Sequence, residues 1–463
     1  MSCGKIAARC VMQPDVLIIG GGLAGLSAAV QLTNAGHSIV IIERSPQCGG
    51  RTRSFRDAVT GEDVDNGQHI MMGCYHETLR YLECIGSRHL VAVQPPLRVH
   101  FCEQGGRAGW LSALPLPPPL HALLALLRFD LLAWSERIAV VRAARALLAA
   151  NPATDTRLQS QTVEDWLNEH SQPKRCRKAF WDVLAIGMLN EQSAFASASL
   201  FVGTMQRILS GKRTDASIAL LSAGLSRVLV EPAVAFLQSH GSEVMLSSTV
   251  ESFSEENGEI RGAILAGGRT ISPRAVISAV PFFALDSLAN GFLLKRLPEL
   301  HNAQTLLPAP IVSIHLWLDR GIMEEEFAAL LGSPIQWVFN TGKIQHVNRQ
   351  GCHLSLVVSG AWQEVEKERS VLAAMGLEEV QKVFPAARNA SLIHSLVVKE
   401  KRATFSPRPG SERLRPSHLT AVENLFLAGD WTATGLPATI EGAVVSGVAS
   451  ANAAMEFLDR RLR

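Results

Sequence analysis

The chain has 463 residues, 44 basic against 42 acidic side chains, and an apolar fraction of 47%. That length exceeds what one hydrophobic core organises, so two packed domains are expected. The balanced charge gives no sign of a nucleic-acid-binding surface. Charged residues make up only 19%, so the apolar excess must be buried in a core or against something greasy.

Residues 15–19 read as a buried strand that runs into Gly20-Gly21-Gly22-Leu23-Ala24-Gly25 and then a helical stretch, 26–35. A second apolar strand over 38–42 ends on Glu43. A lone G-x-G-x-x-G says little. With a strand before it, a helix after it and an acid about 20 residues on, it becomes a dinucleotide-binding βαβ unit. Gly20, Gly22 and Gly25 let the backbone turn tightly, so that a pyrophosphate meets the helix start at Leu23 and Ala24. Glu43, with Arg44 beside it, stands where an unphosphorylated adenosine ribose is held.

A second glycine pair, Gly49-Gly50, is followed by Arg51. A flavoenzyme needs phosphate contacts at that point and a plain NAD dehydrogenase does not. Near the other end, 424–430 is a buried strand ending in Gly429-Asp430, and a small-residue helix over 439–454 begins at Thr439 and Ile440. An aspartate on such a turn can hold a ribityl chain, and the helix N-terminus can face the electron-rich end of a reduced flavin. These separated pieces describe one FAD.

The segment 16–53 resembles the N-terminal signature of the flavin amine oxidase and phytoene desaturase superfamily. Asp65-Asn66-Gly67-Gln68-His69, Gly73-Cys74-Tyr75 and the stretch from Gly429 to Pro437 are similar to the hydroxysqualene dehydroxylase family, squalene-associated FAD enzymes of bacterial hopanoid pathways. The resemblance runs from about Pro14 to the C-terminus and is sharpest at the two ends. It implies an α/β Rossmann-like FAD-binding domain, discontinuous in sequence (14–75, 216–280 and 406–463). A mixed α+β substrate domain (76–215 and 281–405) would complete the chain. In the superfamily a strand residue whose backbone meets the adenine corresponds to Val250, although any β-branched strand residue looks the same. Helix is expected over 224–240 and strands over 243–246, 258–265, 275–280, 311–319 and 353–359.

The resemblance further implies reductive loss of the allylic hydroxyl of hydroxysqualene to give squalene as FADH2 is oxidised, the flavin being reduced again by an unidentified electron donor. Such chemistry needs a proton donor, a pocket without competing nucleophiles, and a closely held hydride source. Asp65, His69 and Glu441 are the candidate donors. Each has a bland alternative: Asp65-Asn66-Gly67 is itself a turn signal, and acids are common in a first helical turn. Tyr75, Trp317, Trp337, Phe339 and Trp431 are candidates to line the pocket or to be core. No Gly-x-Ser-x-Gly, His-Glu-x-x-His or Gly-Lys-Ser/Thr motif is present, so the chemistry must come largely from the flavin.

Residues 120–134 form an apolar run interrupted by His121, Arg128 and Asp130. It is too short and too charged to span a bilayer. It suits either an interfacial helix, with Arg128, Arg137, Arg142 and Arg145 near headgroups, or a helix buried between domains. A C30 hydrocarbon substrate favours peripheral contact of 120–145 with the inner face of the cytoplasmic membrane. The 8 cysteines form no C-x-x-C pair or metal-spaced cluster and read as reduced cytosolic thiols. Lys5 and Arg9 precede an apolar stretch, but that stretch is the first strand, so a cleaved leader is not expected. Two rivals remain: an oxidative polyene desaturase or amine oxidase on the same scaffold, and a non-catalytic prenyl-lipid binder, which Glu43, Gly50, Arg51 and Asp430 argue against.

Overall fold

Strand Val16–Ile19 is buried on both faces, as its unbroken aliphatic sequence requires of a parallel strand covered by other layers. In a computed structural model describing residues 12–347 and 351–461, it is the centre of a five-stranded parallel sheet. The order is Glu243–Met245, Ile39–Ile42, Val16–Ile19, Ala275–Ser278, Leu425–Leu427. Alternation sends Val16, Ile18, Ile39, Ile41, Ala275 and Ile277 into one core with helices Leu23–Asn34 and Ile440–Arg460. Leu17, Ile19, Val40, Ile42 and Val276 enter a second core on the opposite face. There they meet the antiparallel sheet Val250–Glu256, Glu259–Leu265, Thr270–Ile271.

The second domain is built on a seven-stranded sheet. Its order is Leu392–Phe405, Pro308–Leu318, Cys352–Ser359, Trp337–Asn340, Phe327–Leu331, Arg98–Glu103, Ala108–Ser112. All pairs are antiparallel except Phe327–Leu331 with Arg98–Glu103. One face packs on helix Arg369–Val383; the other meets a helical layer that includes Trp134–Ala149 and Ala198–Ser210.

Several expectations are adjusted. The apolar run at 120–134 is a helix, Leu120–Arg128, that stops before a second one, Trp134–Ala149. Arg137 stabilises that break, its guanidinium donating to the Leu132 and Leu127 carbonyls at 2.8 and 2.9 Å. It is therefore occupied by the protein, whereas Arg128, Arg142 and Arg145 are exposed. The expected helix 224–240 is a π-helical turn, Ser226–Val230, leading into helix Glu231–Ser239.

The cores also straddle the expected domain limits at 75/76 and 280/281. Tyr81, Leu82, Ile85 and Val91 pack with the cofactor sheet, as do Phe282, Leu285, Leu293 and Leu300. Apolar faces there are closer to the Rossmann sheet than to the second domain. Among the described residues six cysteines are free; Lys5, Arg9, Cys3 and Cys10 lie outside the described residues.

Candidate active site

A cavity of about 700 Å³ runs from the glycine turn of the first domain into the apolar interior of the second. At one end Gly20, Gly22, Leu23 and Ala24 line it. Gly22 is the N-cap of helix Leu23–Asn34 and offers no side-chain cap, so the first helical N–H groups are available to an anion. A Cβ placed on Gly22 would meet nothing within 4 Å: the turn opens into the cavity there. Gly25, by contrast, does not line it. Its missing side chain lets the helix close against the Gly20 carbonyl, with which a Cβ would collide.

Glu43 is 9% exposed and accepts the Gly21 N–H at 2.7 Å and the Ser45 N–H at 2.8 Å. Glu43 shares the cavity wall with Arg44 and Val250. Gly50 and Arg51 follow along the same wall. Arg51 donates to Asp430 Oδ1 at 2.8 Å and to the Ala403 carbonyl at 2.6 Å. Burial works against its charge, but the Asp430 carboxylate prevails and raises its pKa. Asp430, Thr439 and Ile440 line the cavity; Gly429 does not, its N–H being given to Ser446 Oγ at 2.8 Å. Thr439 caps the C-terminal helix, accepting the Gly442 N–H at 3.0 Å.

The cavity thus carries the Glu43 carboxylate, uncapped helix N–H groups, a paired Arg51–Asp430 and a second helix start. The residues present fit an extended FAD.

The three candidate proton donors separate. Asp65 is absent from the cavity wall. Its Oδ1 accepts Ser54 Oγ at 2.6 Å and the Leu225 N–H at 2.9 Å, tying the hairpin 54–65 to the chain at 225. Burial lifts its pKa to about 6. Glu441 borders the cavity but its carboxylate is consumed. It accepts from Thr78 N–H (2.9 Å), Thr78 Oγ1 (2.7 Å), Glu77 N–H (3.2 Å) and Arg207 (3.0 Å). It therefore pins the start of helix His76–Cys84 to the C-terminal helix.

His69 does line the cavity. Its Nδ1–H donates to the Gly67 carbonyl at 2.6 Å, leaving Nε2 as the exchangeable ring atom. Burial, and then the Arg51 charge, lower its pKa, so the resting imidazole is neutral.

Of the aromatic candidates, Tyr75, Trp337, Phe339 and Trp431 lie on the cavity wall. Burial, then Cys74 and Glu441, hold the Tyr75 phenol well above its ordinary pKa. Trp317 lies elsewhere, giving its Nε1–H to Glu62 at 2.8 Å and stacking on His353. Beyond His69 the wall is mostly apolar, with Leu97, Phe101, Leu126, Phe180, Leu184 and Ile311, though Asn190, Thr204 and Ser359 also reach it. Arg207, on helix Ala198–Ser210, also reaches this wall. It was not anticipated, and its sequence neighbourhood carries no signal for it. No group of three or more His, Cys, Asp or Glu among the described residues is arranged to hold a metal ion.

The family model described as flavin containing amine oxidoreductase matches residues 23–455. A hydroxysqualene dehydroxylase of Rhodopseudomonas palustris is 30% identical over 446 residues, covering 94% of this chain and 97% of the relative. A 15-cis-phytoene desaturase of Synechococcus elongatus is 25% identical over 471 residues, covering 97% of each. A crystal structure of an oxidoreductase from Methanosarcina mazei superposes with a TM-score of 0.73 at 16% identity, covering 95% of this chain and 99% of that one.

Proposed function

The chain belongs to the flavin-containing amine oxidoreductase family and is an FAD-dependent enzyme, and from that premise we propose that it reduces hydroxysqualene to squalene. The observation that carries this reading is the long apolar chamber continuous with the flavin cradle and bordered by one neutral histidine. The 30% identity to a hydroxysqualene dehydroxylase along nearly the whole chain supports it.

Reduced FAD, when bound, supplies the hydride that replaces the hydroxyl. The apolar wall from Leu97 to Phe180 takes up the isoprenoid chain and excludes water. His69, once protonated at Nε2, gives its proton to the departing hydroxyl. The Tyr75, Trp337 and Phe339 side chains present no competing nucleophile to the allylic cation, and aromatic faces stabilise positive charge. Arg51 and Asp430 hold each other and the cofactor-binding segments together.

The substrate arrives from lipid. Leu120, Trp134 and Ile138 are 51%, 67% and 45% exposed, on the two helices whose inner faces line the chamber through Ala122, Leu126, Ala144 and Leu147. With exposed Arg128, Arg142 and Arg145 they suit an anionic bilayer surface. No helix among the described residues is long and apolar enough to cross a membrane.

The test is anaerobic: purified protein with chemically reduced flavin, hydroxysqualene in detergent, and products read by mass spectrometry. Squalene formed in step with flavin reoxidation is the expected result. Bound FAD without squalene overturns this reading. The 25% identity to a phytoene desaturase then favours the oxidative direction on a polyene, tested with oxidised flavin.

A further inference from the structure

One face of the substrate-domain sheet carries a file of polar side chains leading away from the cavity. Strands Pro308–Leu318 and Cys352–Ser359 pair in a register that sets His315 opposite Ser355 and Trp317 opposite His353. His315 Nδ1 lies 3.2 Å from His353 Nε2, and His353 Nδ1 lies 3.4 Å from Glu62 Oε2. The two imidazoles are 1% and 4% exposed, whereas the Glu62 side chain is 21% exposed. The file thus has a wet outer end. At its inner end the His315 imidazole meets the Asp65 backbone, and the facing Ser355 Oγ is buried without a side-chain or backbone hydrogen bond. Two residues back along its strand from His315, Ser313 places its hydroxyl against Gly67, where a Cβ would approach it to 3.1 Å. Gly67 is on the cavity wall and its carbonyl holds His69.

We propose that Glu62, His353 and His315 form a proton relay that joins solvent to His69, the last step being bridged by ordered water. It rests on the assignment of His69 as the donor at the flavin end. Buried imidazoles with both ring nitrogens in a hydrogen-bonded file pass a proton by accepting at one nitrogen and releasing at the other. Other groups facing the file are Asp57, from the hairpin, the Asp65 backbone, and His394, which sits 3.4 Å from Asp57. Burial, opposed by Asp57 and the Asp65 backbone, draws the pKa of His315 down to about 4. It is therefore neutral at rest and hands a proton on without storing it. One proton enters per turnover. It leaves with the substrate's hydroxyl as water when the C–O bond breaks, and the new C–H bond takes its electron pair from the reduced flavin, which is oxidised. In the oxidative reaction the same file would carry a proton outward.

The experiment uses flavin-loaded full-length protein carrying His315→Phe, His315→Gln, Ser355→Ala or Glu62→Gln. Reduction of bound FAD by cathodically reduced methyl viologen, whose own oxidation releases no proton, takes up one solvent proton whatever the substrate, and a pH indicator follows it in H2O and D2O. Expected are slowing of about 10²-fold in His315→Phe, a larger solvent isotope effect, and recovery on adding imidazole, with flavin content and melting temperature kept. If His315→Phe loses its flavin, the other three variants carry the same comparison. Unchanged uptake, or slowing equal in both solvents and not relieved by imidazole, overturns the relay. Protein in which the variants show the relay effect but wild type leaves hydroxysqualene untouched overturns the dehydroxylase reading alone. Wild-type turnover with indifferent variants overturns the relay alone.

Discussion

Replacing Glu441 separates a structural carboxylate from a catalytic one. In Glu441→Ala the Thr78 N–H, in a residue with no exposed surface, loses its acceptor at a cost of about 1–3 kcal/mol. The Glu77 N–H is only partly buried and adds less. Arg207 is 38% exposed, so the loss of its partner is screened and adds little. An acid in the first turn of helix Ile440–Arg460 also contributes about 0.5 kcal/mol through the helix dipole. The sum is about 3 kcal/mol, read as a lower melting temperature with partial loss of flavin. Glu441→Gln keeps an acceptor oxygen for Thr78 and should lose about 1 kcal/mol, hold its FAD and turn over within a few-fold of wild type. The assay is thermal melting and flavin absorbance, followed by anaerobic turnover. A Glu441→Gln protein that is folded and flavin-replete but inert would show that Glu441 supplies the proton and that its four contacts are incidental.

Gly25→Ala should abolish flavin retention, because the new methyl meets the Gly20 carbonyl and moves the turn; protein purified as yellow as wild type refutes the cradle. Asp65→Asn keeps an acceptor for Ser54 and Leu225. The wild-type carboxyl has a folded pKa of about 6 against 3.8 unfolded, so its ionisation in the fold costs up to about 3 kcal/mol as pH rises from 4 to above 6. The variant should therefore gain on wild type across that window in melting temperature and keep its turnover; parallel pH profiles would contradict this. Leu120→Glu, Trp134→Glu and Ile138→Glu combined should release the protein from anionic vesicles in co-sedimentation without altering turnover in detergent, and undiminished binding would remove the bilayer from the scheme.

The parts of the site that depend on local pattern were legible. Val16–Ile19, the glycine turn and Glu43 lie within one βαβ unit, where strand length, glycine spacing and the acid's offset are all short-range. The break at 129–133 was not legible, because Phe129, Leu131 and Leu132 are apolar and buried like the helices around them. Arginines bonding to its carbonyls mark it: Arg137 and, from elsewhere in the chain, Arg107 and Arg175. Glu441 looked like an ordinary dipole-favoured acid, since its partners Thr78 and Arg207 are 363 and 234 residues away in sequence. Asp65 stood in the right motif, but the motif's turn puts His69, not Asp65, on the wall. Histidines 315 and 353 read only as strand residues; their pairing comes from a sheet register between segments 38 residues apart.

The order of strands in the parallel sheet bears on how the chain is made. Ala275–Ser278 sits between Val16–Ile19 and Leu425–Leu427, so on a ribosome most of the protein emerges before that strand gains its outer neighbour. Until then the edge of a strand meant to be wholly buried is open to other nascent chains, and Arg51 has no Asp430 to grip. Flavin capture is thus completed only once the segment that carries Leu425–Leu427 and Asp430 has been made. A message cut short before Leu425–Leu427 would yield an aggregating apoprotein and not a smaller enzyme.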